Sequence, residues 1–99
     1  MYIGALTLDL LLGDVRSLKQ KRSAVRPVVA ELQRRFPSTA VAETGHVDLY
    51  RRAEIGVAVV SSTPAHCREV LEACERLVAG RPEIELLSAC HRLFNNEDG

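Results

Sequence analysis

The sequence predicts an α+β fold in which six elements follow one another as strand, helix, strand, strand, helix, strand. Three observations carry this. Leu6, Leu8, Leu10 and Leu12 share one parity while Thr7 and Asp9 occupy the other, the period-two signature of a strand. Two later stretches repeat apolar residues every three to four positions, each behind a hydroxyl side chain suited to cap a helix. Short segments rich in β-branched residues separate these helices, and an alternating segment follows the second.

Taken in order, residues 2–12 form the first strand, which Gly13 and Asp14 end. Ser17 is the expected N-cap of a helix over 17–35, with Leu18, Val25, Val28, Val29, Leu32 and Phe36 at helical spacing. Pro27 falls inside that pattern. It removes a backbone donor and crowds the preceding turn, so an irregular stretch or kink is expected at 23–26. Residues 39–44 and 53–61 (AEIGVAVVS) read as the second and third strands, joined by a polar connection longer than a tight hairpin needs. Thr63 and Pro64 make a strong helix start as N-cap and N1. Val70, Leu71, Cys74, Leu77 and Val78 mark that helix's apolar stripe, and Gly80 with Pro82 ends it. Residues 83–94 read as the last strand.

This order is the split-βαβ or ferredoxin-like arrangement, a four-stranded antiparallel sheet with both helices on one face. Residues 1–94 form a single domain, and 95–99 (NNEDG) a flexible C-terminal tail. Ninety-nine residues, 46% hydrophobic and 26% charged, fit one core and exclude most large enzyme folds.

The amino-terminal run lacks a basic leader, is interrupted by Asp9 and is too short to span a bilayer, so a cytoplasmic chain with no membrane anchor is expected. Cys67, Cys74 and Cys90 are odd in number and contain no C-x-x-C pair, which speaks against a disulfide framework and a zinc knuckle. Cys67 and Cys74, seven apart, read as small core hydrophobes on one helix face. No metal and no cofactor is expected.

With helices on one sheet face, the other face should alternate to polar if it meets water. The alternation is incomplete. Ile3, Ala5, Ala58, Val60, Leu87 and Ala89 read as an apolar set on the free face, and self-association through it into a homo-oligomer, most simply a homodimer, is expected. The central strands offer no aromatic side chain past Tyr2 on either parity, which disfavours recognition of RNA by the sheet surface.

Thirteen basic residues balance thirteen acidic ones, but their distribution is polarised. Residues 16–35 carry seven basic side chains against Glu31 alone, a net +6. Lys19, Arg22 and Arg26, three and four apart, form one exposed helix stripe, with Lys21 nearby. These four are the expected contacts for an anion or RNA, with Arg51 and Arg52 extending them. The connection holds a second cluster of His46, Asp48, Tyr50, Arg51 and Arg52. His46 as base with Asp48 as its orienter would be a catalytic reading, but no nucleophile carries a matching signature. Asp48 and Arg52 instead are expected to organise the connection through hydrogen bonds and an ion pair.

The segments SLKQKRSAVRPVVAEL (17–32) and DLYRRAEIGVAVVS (48–61) resemble the bacterial YlxP-like family, a domain of unknown function. The resemblance runs from the first strand to about Leu93. Its most specific parts are Ser17-Leu18-Lys19-x-Lys21-Arg22 and Asp48-Leu49-x-x-Arg52-Ala53 with the Ile55-Gly56-Val57 that follows. It implies a ferredoxin-like fold and no established activity. Members' genes often neighbour those of a translation initiation factor and ribosome-binding factor A, which implies a setting in translation or ribosome assembly. The expected function is a non-enzymatic binding module, with ribosomal RNA or a ribosome-associated protein as partner. The alternatives are a small enzyme acting on a phosphorylated metabolite, suggested by fold and length, and a structural homo-oligomer.

Overall fold

A computed structural model describes residues 1–96. Six elements follow in the expected order: β1 (Tyr2–Leu12), α1 (Leu18–Arg35), β2 (Thr39–Gly45), β3 (Arg52–Ser61), α2 (Pro64–Ala79) and β4 (Ile84–Asn95). The sheet order is β2-β3-β1-β4, with every neighbouring pair antiparallel. This is the ferredoxin-like arrangement, and boundaries move by only a residue or so from those the sequence predicts.

One parity of each central strand builds the core. Leu6, Leu8, Leu10 and Leu12 of β1 lie beside Val57, Ile55 and Ala53 of β3, all buried. Val25, Val28 and Leu32 of α1 and Cys67, Leu71, Cys74 and Val78 of α2 cover that face. Ser17 and Thr63 cap the helices as expected, accepting from the backbone N–H groups of Gln20 and His66. Arg81 ties α1 to the turn before β4, reaching Glu31 at 3.4 Å and Glu83 at 2.6 Å. The backbone N–H of Glu83 and the Arg81 guanidinium hold the Glu83 carboxyl below its ordinary pKa.

The helix is continuous across Pro27, so the irregular stretch expected at 23–26 is not formed. Pro27 is exposed, and the carbonyl it cannot bond, that of Ser23, belongs to an exposed residue that water can serve. β4 continues one residue further than predicted: Asn95 is in the strand, and the Asn96 N–H donates to the Met1 carbonyl. The rest of the expected tail, residues 97–99, lies outside the described residues.

Gly4 sets how closely α2 can approach the sheet. A Cβ there would stand 2.8 Å from Leu71 Cδ1, 3.1 Å from Cys67 Cβ and 3.3 Å from Val59 Cγ1. Leu71 can rotate away, but Cys67 Cβ is fixed to the α2 backbone, so the helix itself must shift. Overpacking of this kind costs about 1–3 kcal/mol. Gly4→Ala should therefore lower the free energy of urea unfolding by that amount without loss of secondary structure; an unchanged unfolding free energy would show that α2 is not held at this distance.

Candidate binding surface

The helical period divides the basic segment in two. Lys19, Arg22 and Arg26 fall within one narrow sector of α1 and are exposed. Lys21 stands two positions from Lys19, on the opposite side, and heads the buried stripe of Lys21, Val25, Val28 and Leu32. It is only 2% exposed. Its ammonium donates to the His46 carbonyl and lies 3.8 Å from the Glu43 carboxylate. The sequence expectation that Lys21 contacts an anion is corrected: its charge is already spent inside the fold. Its spacing from Val25, Val28 and Leu32 was the signal for this placement.

Neighbouring acids neutralise other cations of the segment. Arg16 pairs with Asp14 at 3.1 Å, and Arg34 lies 3.8 Å from Glu31. Among the described residues, Lys19, Arg22 and Arg26 have no acidic partner. A groove of about 570 Å³ runs beside them between α1 and β2, with Val25, Val29 and Ala30 as apolar lining and Arg22, Arg26 and the Glu43 carboxylate in its wall.

Arg51 and Arg52 do not simply extend the stripe. Arg51 is exposed, but its Nε–H donates to the Gly13 carbonyl at 3.2 Å. The Nε–H of Arg52 donates to Asp9 Oδ1 at 3.3 Å, and a second guanidinium nitrogen engages Oδ2. Arg52 is therefore committed to β1. The expected pairing of Asp48 with Arg52 is also corrected. Asp48 is exposed and has no side-chain partner among the described residues, and the connection is organised by Asp9 in its place. His46 joins the same carboxylate, with Nε2 3.4 Å from Asp9 Oδ1. His46 has a φ of 57°, the left-handed region that non-glycine residues seldom adopt. Two donors to its carbonyl, the Lys21 ammonium and the Leu49 N–H, hold it there. The orienter of His46 lies on β1, far back in the chain, where no local spacing reveals it.

The free sheet face carries Ile3 opposite Val60 and Ala5 opposite Ala58, as the parity requires, and Val60 is 60% exposed. Ala89 is corrected. It pairs with Leu8 and so shares the helix-covered face. A bulge explains the change: Asp9 pairs with Ser88 but Leu10 with Leu86, leaving Leu87 as the extra residue, 43% exposed. Beyond it, Ser88, Cys90, Arg92 and Phe94 occupy the free face.

Cys67 and Cys74 are buried, and burial pushes the Cys74 thiol up to about 11. Cys90 is exposed. A disulfide reagent at mildly alkaline pH should titrate one thiol per native chain, that of Cys90, and all three only in denaturant. Three rapid equivalents in the native state would contradict this placement.

Among the described residues, no group of three or more His, Cys, Asp or Glu side chains is placed to hold a metal ion. No described helix is long and apolar enough to cross a membrane.

Comparison with known proteins agrees with the fold and the resemblance. A curated relative, "Uncharacterized protein YlxP" of Bacillus subtilis (strain 168), is 29% identical over 83 residues, covering 84% of this chain and 89% of that protein. Among solved structures, the de novo designed protein Foldit4 superposes with a TM-score of 0.56 at 10% identity, over 97% of this chain and 99% of that one. The de novo designed protein LFR1 1, described as having a ferredoxin fold, gives a TM-score of 0.49 at 13% identity, over 97% and 88%. The family model described as "Protein of unknown function (DUF503)" matches residues 3–90. With that match added to the two motifs on α1 and at the start of β3, the chain belongs to this YlxP-like family.

Proposed function

We propose that this chain is a non-enzymatic, cytoplasmic RNA-binding module that docks on ribosomal RNA through the exposed face of α1. One observation supports the reading above the others: Lys19, Arg22 and Arg26 share a helix face and have no acidic partner among the described residues. A basic stripe on a solvated helix ordinarily carries interleaved acids. Here Glu31 is the segment's acid, and it is taken by Arg34 and Arg81. Lys19 to Arg26 spans seven residues, roughly 10 Å along the helix axis, enough to meet more than one phosphate of a nucleic-acid strand. The groove beside Arg22 and Arg26 offers apolar surface to a sugar or base edge next to those phosphate contacts. The neutral sum over the whole chain confines such binding to this face.

Affinity for ribosomal RNA fragments should then fall steeply with salt. Neutralising three phosphate contacts in the variant Lys19→Ala/Arg22→Ala/Arg26→Ala should flatten the log–log salt slope by about 2 to 3. Salt-independent binding, or no binding to any ribosomal RNA fragment, would overturn the reading.

A further inference from the structure

β4 is an edge strand that the fold leaves open. It spans twelve residues, Ile84–Asn95, and pairs on one side with β1 while no described strand lies on the other. Three of the exposed large hydrophobic side chains sit on it: Leu87, Leu93 (41%) and Phe94 (45%). From Ser88 to Phe94 the strand carries no proline or lysine, and its only formally charged side chain is Arg92. Proteins usually blunt open edges with such residues or cover them.

The hydrogen-bond pattern shows what chemistry the edge offers. The Asn96 N–H donates to the Met1 carbonyl at 3.2 Å. In an antiparallel ladder, bonded and non-bonded pairs alternate. In the β1–β4 register, Ser88, Cys90, Arg92 and Phe94 therefore turn their backbone groups toward β1, while Ala89, His91 and Leu93 turn theirs outward. Such a row of outward donors and acceptors fits another β-strand.

We infer that a second copy of this chain pairs with it edge to edge, β4 against β4 and antiparallel, to make one continuous eight-stranded sheet. Past the bulge at Leu87 the ladder is regular to Asn95, and the outward-turned residues Ala89, His91 and Leu93 centre on His91, whereas an axis one residue further on would set the two Arg92 charges face to face. A two-fold axis through His91 sets Ala89 opposite the partner copy's Leu93 and Ser88 opposite its Phe94. It also sets Arg92 opposite Cys90, so the two Arg92 charges do not face each other. Ala89, His91 and Leu93 then exchange about six backbone hydrogen bonds across the axis. His91 stays available to its own α2, where Nε2 lies 2.6 Å from Glu75 Oε1. The axis runs through the edge opposite β2, so the α1 stripe remains open, and the inference stands independently of RNA binding.

The test is the mass of the full chain in solution by light scattering at micromolar concentration, with circular dichroism as the folding check. The native chain should have the mass of two copies. Leu93→Pro removes an outward donor and no bond to β1, and Leu93→Lys sets a charge on the edge; both should be folded and halve the mass. Val60→Lys, on the free sheet face, should leave the dimer intact. A monomeric native chain would overturn the inference. So would a dimer that survives both folded Leu93 variants, or one that Val60→Lys dissociates.

Discussion

The buried ammonium of Lys21 is the interaction on which the end of the fold around the β2–β3 connection depends. Taking a charged amine out of water costs several kcal/mol unless partners replace the solvent. Here the partners are the His46 carbonyl and the Glu43 carboxylate, both at the end of β2, while the lysine belongs to α1. The bond joins the helix to the connection between β2 and β3. It also fixes His46 in the left-handed region, with its ring beside Asp9 on the free sheet face. Asp9 in turn holds Arg52 at the start of β3. One short chain of polar contacts thus passes from α1 on one side of the sheet to β1 and β3 on the other.

That commitment separates two roles within a single basic segment. Residues that share the period of Val25, Val28 and Leu32 point into the protein, and a lysine there must find its partners inside. Residues on the opposite sector keep their charge for solvent or a ligand. Lys19, Arg22 and Arg26 thereby become a compact stripe, flanked on one side by the groove against β2. The neutral charge of the whole sequence conceals this because acids elsewhere cancel it in the sum, while Glu43, which lines the groove beside the stripe, is engaged by Lys21.

The element order, helix caps and core face were legible because each rests on local periodicity or on a capping residue at its expected offset. Leu6, Leu8, Leu10 and Leu12 announce their face in four alternations, and Ser17 and Thr63 their helix starts. Lys21 was legible in principle, since its spacing from Val25 and Val28 is that of a core position, but its charge argued for the surface. The face of Ala89 is not legible from parity, which holds only while the ladder is regular and is reversed by the extra residue at Leu87. The Asp9, His46 and Arg52 cluster had no local signature at all. Its members meet only when β1 and β3 pair, although Asp9 did stand out as an acid inside an apolar strand. Pro27 shows the opposite case: a strong local signal for irregularity was overridden by the packing of α1 along its full length.

Lys21 holds the structure, whereas Lys19 leaves its charge free. Urea unfolding of Lys21→Met beside Lys19→Met tests that separation most directly. Methionine keeps the buried stem but removes the charged donor from the His46 carbonyl, which retains the Leu49 N–H, and the cation from Glu43; a hydrogen bond to a charged group is worth about 1.5–3 kcal/mol. Lys19→Met should change stability by no more than about 0.5 kcal/mol, as surface substitutions do. Equal stability of the two variants would contradict the structural role assigned to Lys21.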